Sequence, residues 1–400
     1  MCESRREERI MRHQGSERVL AINPGSTSTR VAAFDGEVVL AEALLPAPGG
    51  DRPGIWEEFP PRLEAVRGWL EGEGVPLGSL DAVVGRGGLF RPLEGGTYIV
   101  TEAMLADARG NLQGSHASNL GCALARAMAD AGTREREEAQ GDGGVGAGEG
   151  GATGGRGAAG YGGSGPEQVP AFVVDPVSTD EFNELARFSG LREIPRKSLS
   201  HALSIHALVR EICLRDGRPL EGSSFVVAHM GGGISVCPVR DGRILDANNA
   251  NSGGPFSPSR AGSLPTQELL DLAFSGTYSQ PQLRSMTLKD GGLKSHLGTD
   301  DAREVEARIR AGDDEARVVF EAMAYQISKE IGAMATVLEG RVDAVLLTGG
   351  LAASDLLMEW VKRRVGFLAP VEILPEVEEM RALAQGGLRV LRGEEKAKVY

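Results

Sequence analysis

Two stretches of the chain repeat one alternation of apolar runs and polar turns. VLAINPGSTSTRVAAFDGEVVL begins at Val19, and FVVAHMGGGISVCPVRDGRIL begins at Phe225. Shifted by 206 positions they align without a gap, Asn23 on His229, Gly25 on Gly231, and Asp35-Gly36 on Asp241-Gly242. Each copy predicts a short apolar strand, a Gly/Ser/Thr turn, a second strand, an Asp-Gly hairpin and a third strand. Helical segments follow in both halves, including 116–131 and 315–339, with further strands at 170–174 and 342–347. Two β-meanders, each followed by helices, predict an α/β fold of two similar domains. The length agrees, because 400 residues is long for one hydrophobic core. A cleft between duplicated domains is a natural ligand site.

The pattern lapses from about 134 to 168, where EREEAQGDGGVGAGEGGATGGRGAAGYGGSGPEQ holds almost no large apolar side chain. Such a stretch cannot offset the entropy of ordering and predicts a flexible surface loop. Its GxGxxG matches, such as those at Gly141 and Gly146, neither follow a strand nor open a helix, so they are accidents of composition. Composition otherwise narrows function by exclusion. A formal net charge of −13 argues against a nucleic-acid surface, which needs clustered Lys and Arg. The first 18 residues are charged and lack the apolar core of a secretory signal, and no run is long enough to span a membrane. Cys2, Cys122, Cys213 and Cys237 are far apart, which disfavours a zinc site or disulfide framework and fits a reducing cytoplasm.

The two turns carry the candidate chemistry. In Asn23-Pro-Gly-Ser-Thr-Ser-Thr29, Gly25 lets backbone approach closely, successive N–H groups can cradle an anion, and hydroxyls add donors. His229-Met-Gly231-Gly232-Gly233 offers three glycines and a histidine at the matching place. Hairpin turns prefer these residues for their own backbone reasons, so it is the symmetric pair that points to phosphate.

INPGSTSTRVAAF, VVGRGGLFRPLEGGTYIV, HASNLG, VVDPVSTDEF, AHMGGGISV, GPFSPSRAGSLP, MAYQISKEIGAMA and LLTGGLA resemble, in order, segments of the butyrate kinases of the acetokinase family. The resemblance runs from Val19 to about Glu394, outside the Gly-rich stretch. INPGSTST and HMGGG are of the butyrate type, since acetate kinases resemble INSGSSS and HLGNG there. The resemblance implies two duplicated actin/ribonuclease-H-like domains with a nucleotide cleft between them. It implies a charged extension over 1–18 and a first domain over 19–185, with the insert at 134–168, completed by a C-terminal helix at about 378–394. The second domain, 186–377, carries the adenosine site.

The implied reaction moves the γ-phosphoryl of ATP reversibly onto a short-chain fatty carboxylate, with Mg²⁺, giving an acyl phosphate and ADP. Arg86 in Gly85-Arg86-Gly87-Gly88 and Arg260 in Ser259-Arg260-Ala261-Gly262 match the family's two arginines, forked donors suited to gathering two anions. The flanking glycines suggest that Arg86 is crowded. Asn23 matches a polar side chain near the moving phosphoryl group and Mg²⁺. Asp175 matches a strand-end carboxylate that organises Mg²⁺, and Glu379 a metal-site glutamate, with Glu376 and Glu378 as alternatives in the same cluster. His201 matches a histidine that steadies the phosphoryl group, and His116 could orient substrate. His229, Gly231, Gly232 and Gly233 would line the nucleotide side, and Gly349, Gly350 and Leu351 would lie against adenosine. A homo-oligomer is implied as well.

A carboxylate is already a nucleophile at neutral pH, so no general base is needed, and positioning with charge neutralisation suffices. Each methylene in an apolar pocket is worth only about 1–3 kcal/mol of discrimination, which leaves propionate, butyrate, isobutyrate and valerate all open. Departures from the family are the insert, the N-terminal extension, a 248–254 segment one residue short, and Ser259 where an acidic residue is expected. Two other readings stay open: a sugar kinase, which would use an Asp base on a hydroxyl acceptor, and an actin-like ATP-binding assembly protein.

Overall fold

The computed structural model describes residues 16–48, 54–141, 168–375 and 378–400. Residues 1–15 of the N-terminal extension, 142–167 of the Gly-rich stretch, and Glu376 lie outside the described residues. The first meander is β1 (Arg18–Pro24), β2 (Ser28–Asp35) and β3 (Val38–Pro46), followed by α1 (Phe59–Gly72), β4 (Ala82–Arg86) and β5 (Thr97–Ile99). Next come α2 (Glu102–Arg109), α3 (Leu120–Gly141), β6 (Ala171–Val174) and α4 (Ala202–Arg215). The second meander is β7 (Ser224–Met230), β8 (Ile234–Arg240) and β9 (Arg243–Ile244). Helices α5 (Thr266–Phe274), α6 (Gln280–Leu288), α7 (Gly292–Leu297), α8 (Ala302–Arg310) and α9 (Asp314–Val337) follow. The chain ends with β10 (Ala344–Thr348), α10 (Asp355–Val365), β11 (Val371–Leu374), α11 (Glu379–Leu391) and β12 (Lys398–Val399).

Contacts divide the chain into two compact units. The first holds the described residues up to Arg91 together with Gly96–Pro176 and Glu379–Tyr400, and the second holds Pro92–Gly95 and Val177–Glu378. In the first unit a seven-stranded sheet runs β12-β5-β6-β4-β1-β2-β3. Strands β1, β4 and β6 are parallel neighbours, so their C-terminal ends share one edge. Apolar runs such as Val19–Ile22 and Ala82–Val84 are fully buried, as expected of strands covered on both faces. Helix α3 approaches β4 so closely that a Cβ on Gly85 would strike the Gly121 carbonyl, and one on Gly121 would strike that of Arg86.

Helix α3 also corrects the expected start of the loop, since it continues through 134–141. The reason is specific polar anchoring. Arg136 donates to the carbonyls of Gly78 (2.7 Å) and Leu80 (2.6 Å), and Glu135 accepts from the Gly78 N–H at 2.5 Å.

The second unit's sheet runs β11-β10-β7-β8-β9. One face, with Val226, Ala228, Met230, Ile234 and Val236, packs on Phe320, Met323, Ile327 and Ile331 of α9. The other, with Phe225, Val227, Cys237 and Val239, packs on Ile205, Leu208, Val209 and Ile212 of α4. The period-2 alternation of β7 and β8 thus feeds two cores at once.

The repeated meanders share their strand positions but not their turns. Pro24 pairs with Thr29, leaving Gly25–Ser28 in the first turn, whereas Met230 pairs with Ile234, leaving Gly231–Gly233 in the second. A one-residue change of this kind inverts the faces of the second strand. The second copy tolerates it because β7 and β8 are buried on both faces. Its third strand is only two residues long. The Asn248 side chain continues the pairing instead, accepting from the Val236 N–H at 2.6 Å and donating to the Ile234 carbonyl at 2.8 Å.

Candidate active site

In the first unit, Asn23, Arg86 and Asp175 stand at the C-terminal ends of β1, β4 and β6, the edge where ligand sites of parallel sheets collect. Ile22 pairs with Gly85 and Arg86 pairs with Val174, so register alone brings the three into one row. Arg86 is crowded as its glycine neighbours suggest: a Cβ on Gly87 would strike Pro176, and one on Gly88 would strike Asn119. The Arg86 Nη1 lies 2.5 Å from Glu379 Oε1, and Asn23 Nδ2 donates to Glu379 Oε2 at 2.7 Å. Glu379, the first residue of α11, is therefore the glutamate of the cluster that the structure ties to Asn23 and Arg86. Its position in the first helical turn also favours negative charge.

Asp175 is buried and adopts φ +38°, a left-handed conformation that few residues other than glycine tolerate. Two bonds hold it there: Oδ1 accepts from the Gly96 N–H at 2.7 Å, and the Asp175 N–H donates to the Gly96 carbonyl at 3.1 Å. Strain of this sort persists where surroundings over-determine the backbone, commonly at working sites. His116 caps the short 3-10 turn Ala117–Asn119, its Nδ1 accepting from the Ser118 N–H at 3.2 Å. With Nδ1 the acceptor, the proton resides on Nε2 of this exposed ring.

In the second unit, the His201 and His229 rings stack with centroids 4.1 Å apart and planes 22° apart. His201 precedes α4 and its Nδ1 is 3.0 Å from the buried Ser235 hydroxyl. Arg260 lies across the glycine turn, so closely that a Cβ on Gly233 would strike its guanidinium. Among the described residues no carboxylate stands within salt-bridge reach of Arg260, and burial pulls its pKa below the usual guanidinium range. The serine at 259 is part of the reason. Where an acidic side chain is expected beside Arg260, Ser259 instead donates to the Gly232 carbonyl at 3.3 Å, alongside Ser257 at 2.6 Å.

Three local features bear on how these turns could meet a ligand. The glycine N–H groups that begin the turns are not open to an anion, because Gly25 donates to the Ser28 carbonyl (2.7 Å) and Gly231 to the Gly233 carbonyl (3.0 Å). Gly349 is glycine because of its own chain: it sits at φ +88°, and a Cβ there would collide with the backbone of Met230. Gly350 is the open position, with nothing near its Cβ direction. The Leu351 side chain is buried in the core with α9, leaving only its backbone to meet a ligand.

Arg62 lies in no quoted motif, and Asn119, though part of HASNLG, is not singled out by a reading of the sequence. The Asn119 side chain accepts from the Leu89 N–H at 2.8 Å and donates to the Gly114 carbonyl at 3.0 Å, fixing the loop after Arg86. For Arg62 the available signal is its i,i+4 spacing from Glu58. The cysteines among the described residues are not exposed. Cys122, Cys213 and Cys237 are free and buried, and burial pushes the Cys122 thiol up to about 12. Hard oxygen donors are what Mg²⁺ prefers, and Asp175, Glu379 and the Asn23 amide supply them. Among the described residues no three His, Cys, Asp or Glu side chains gather as a metal cluster. An ion here would thus complete its shell with phosphate oxygens and water.

Comparison with known proteins adds three findings. A model of the acetokinase family matches residues 196–383. "Probable butyrate kinase 2" of Caldanaerobacter subterraneus subsp. tengcongensis is 44% identical over 386 residues, covering 96% of this chain and 99% of the relative. Butyrate kinase 2 of Clostridium acetobutylicum is 39% identical over 387 residues, with 96% and 99% covered. The crystal structure of Porphyromonas gingivalis acetate kinase superposes with a TM-score of 0.71 at 17% identity, covering 94% of this chain and all of that one, a likeness of fold.

Proposed function

The chain belongs to the acetokinase family, and from that premise we propose that it is an ATP-dependent carboxylate kinase of the butyrate kinase type. The reaction transfers the γ-phosphoryl of ATP to a short-chain fatty carboxylate, giving an acyl phosphate and ADP. The observation that carries this reading is Arg260, a half-buried guanidinium laid on a glycine turn with no carboxylate to neutralise it among the described residues. Such a group favours an incoming anion, and a phosphoryl group meets its forked donors well.

Arg86 neutralises charge at the reacting oxygens, while Glu379 and Asn23 hold its guanidinium in one orientation. His201, oriented through Ser235, donates to the moving phosphoryl group, and His229 buttresses it from the stacked face. Glu379, Asp175 and Asn23 are the groups that would hold Mg²⁺, which when bound would offset the negative charge of the ATP phosphates. The Gly350 backbone, open to solvent, lies against adenosine. We place the enzyme in the cytoplasm, a reading supported by the three free cysteines among the described residues, and expect a homo-oligomer. No helix among the described residues is long and apolar enough to cross a membrane.

The test is a hydroxamate assay for acyl phosphate with C2–C5 acids, ATP and Mg²⁺. Butyrate or a near homologue should give the highest kcat/KM. ATP hydrolysis without acyl phosphate, or phosphorylation of a hydroxyl acceptor in its place, would overturn the assignment.

A further inference from the structure

Arg62 is among the largest fully buried side chains of the chain, yet it belongs to no motif. It stands in the first turns of α1, and each of its five N–H groups has an acceptor. Nε and Nη2 donate to Glu58 Oε2 at 2.9 and 2.6 Å. Nη2 also reaches the Gly25 carbonyl at 2.9 Å, and Nη1 reaches the Ser28 carbonyl at 3.1 Å and the Thr29 hydroxyl at 2.6 Å. The guanidinium thus takes both carbonyls that bound the Gly25–Ser28 turn, and Glu58 balances its charge.

A buried ion pair is a poor means of gaining stability, since packed apolar side chains often serve as well. What this one provides is orientation. Carbonyl oxygens turned toward a phosphate would repel it, and Arg62 binds both of these on its own side of the turn. A lysine has three donors on a point charge and cannot meet two carbonyls, a hydroxyl and a carboxylate in that geometry. We propose that Arg62 is a positioning residue for phosphoryl transfer, acting through the Gly25–Ser28 turn on the group being transferred rather than touching it. The inference rests on the carboxylate-kinase reading above.

The experiment compares wild type, Arg62→Lys and Thr29→Val in steady-state kinetics, with ADP affinity by calorimetry and fold by circular dichroism. ADP lacks the transferred group, so its affinity should not sense the turn. Arg62→Lys should lower kcat about 10- to 100-fold, as sub-ångström misplacement of a reacting group does. ADP affinity and the KM for carboxylate should stay within about twofold, since those contacts are made elsewhere. Thr29→Val, which deletes one of the five hydrogen bonds at constant volume, should lower kcat less and in the same pattern. Unchanged kcat in Arg62→Lys, or weakening spread equally over ADP, carboxylate and kcat, overturns the inference. If Arg62→Lys does not fold, Thr29→Val decides: reduced kcat with intact ADP affinity supports positioning, and wild-type kcat overturns it. A wild type that makes no acyl phosphate removes the premise and the inference with it. An active wild type with both variants unimpaired sinks the inference alone.

Discussion

The two glycine turns occupy matching places in their units and are secured by different means. The first is tied from behind by a buried arginine–glutamate pair, and the arginine of its strand row, Arg86, is already bonded to Glu379. The second is tied by neutral hydroxyls, Ser257 and Ser259 on the Gly232 carbonyl, and its arginine has no carboxylate among the described residues. The two matching hairpins thus differ in charge: one is paired with a balanced arginine, the other with an arginine that has no counter-charge among the described residues. The lesson is that a balanced arginine contributes chiefly orientation, while an unbalanced one contributes attraction for an anion at a standing cost in stability.

Removing either arginine should have the largest effect. Arg86→Ala and Arg260→Ala should each lower kcat about 10³-fold or more in the hydroxamate assay, as loss of a group that neutralises developing charge does. If the comparison holds, nucleotide affinity should fall mainly in Arg260→Ala, whose guanidinium has no competing carboxylate among the described residues. Equal losses of affinity in the two would break it.

Glu379→Gln tests the balanced arginine next. The amide oxygen can still meet Asn23, but the charge that holds Arg86 is gone, and kcat should drop about 10- to 100-fold, as for other groups that orient a reacting residue. Its Mg²⁺ requirement should rise in parallel if the carboxylate also serves the ion. Full activity at ordinary Mg²⁺ would show that Arg86 needs no tether. Gly233→Ala tests the other half with a smaller change. Its Cβ would occupy the place of the Arg260 guanidinium, and kcat/KM should fall about 10-fold as the arginine is displaced. An unaffected Gly233→Ala would mean that Arg260 works from a different position.

Much of this was legible in the sequence because local rules governed it. The duplicated meander showed in the apolar runs and the Asp-Gly pairs, since strand burial and hairpin geometry are written residue by residue. Arg86 stood out because glycines surround it, and those glycines answer to close contacts with Gly121, Pro176 and Asn119. What stayed hidden depended on long-range partners. Nothing near Arg62 in the sequence announces that it reaches Gly25 and Ser28, some thirty-odd residues away. The gap-free alignment of the meanders concealed a turn one residue shorter, because pairing register is invisible when both faces are apolar. Composition likewise misjudged 134–141, where Arg136 and Glu135 anchor a helix that their acidic, glycine-adjacent neighbourhood disguised.

The smallest expected effect is also the one that separates the two arginines most cleanly, because it should differ in sign. Arg260→Met removes a half-buried charge that has no counter-charge among the described residues, and replaces it with a side chain able to cover the same turn. In buffer free of phosphate, sulfate and nucleotide, it should raise the unfolding free energy by about 0.5–2 kcal/mol, the usual return on relieving a functional site of its strain. Arg86→Met does the reverse, leaving the Glu379 carboxylate its Asn23 amide but removing the guanidinium 2.5 Å away. Because the Glu379 side chain is 27% exposed, water recovers part of the loss, and the cost should be about 1–2 kcal/mol, below that of breaking a fully buried pair. Inorganic phosphate sharpens the contrast, since a ligand stabilises only the state that binds it. Added phosphate should raise the melting temperature of wild type and Arg86→Met, and leave Arg260→Met nearly unmoved. If both methionine variants shift stability in the same direction, or if phosphate stabilises all three alike, the division into a balanced and an unbalanced arginine is wrong.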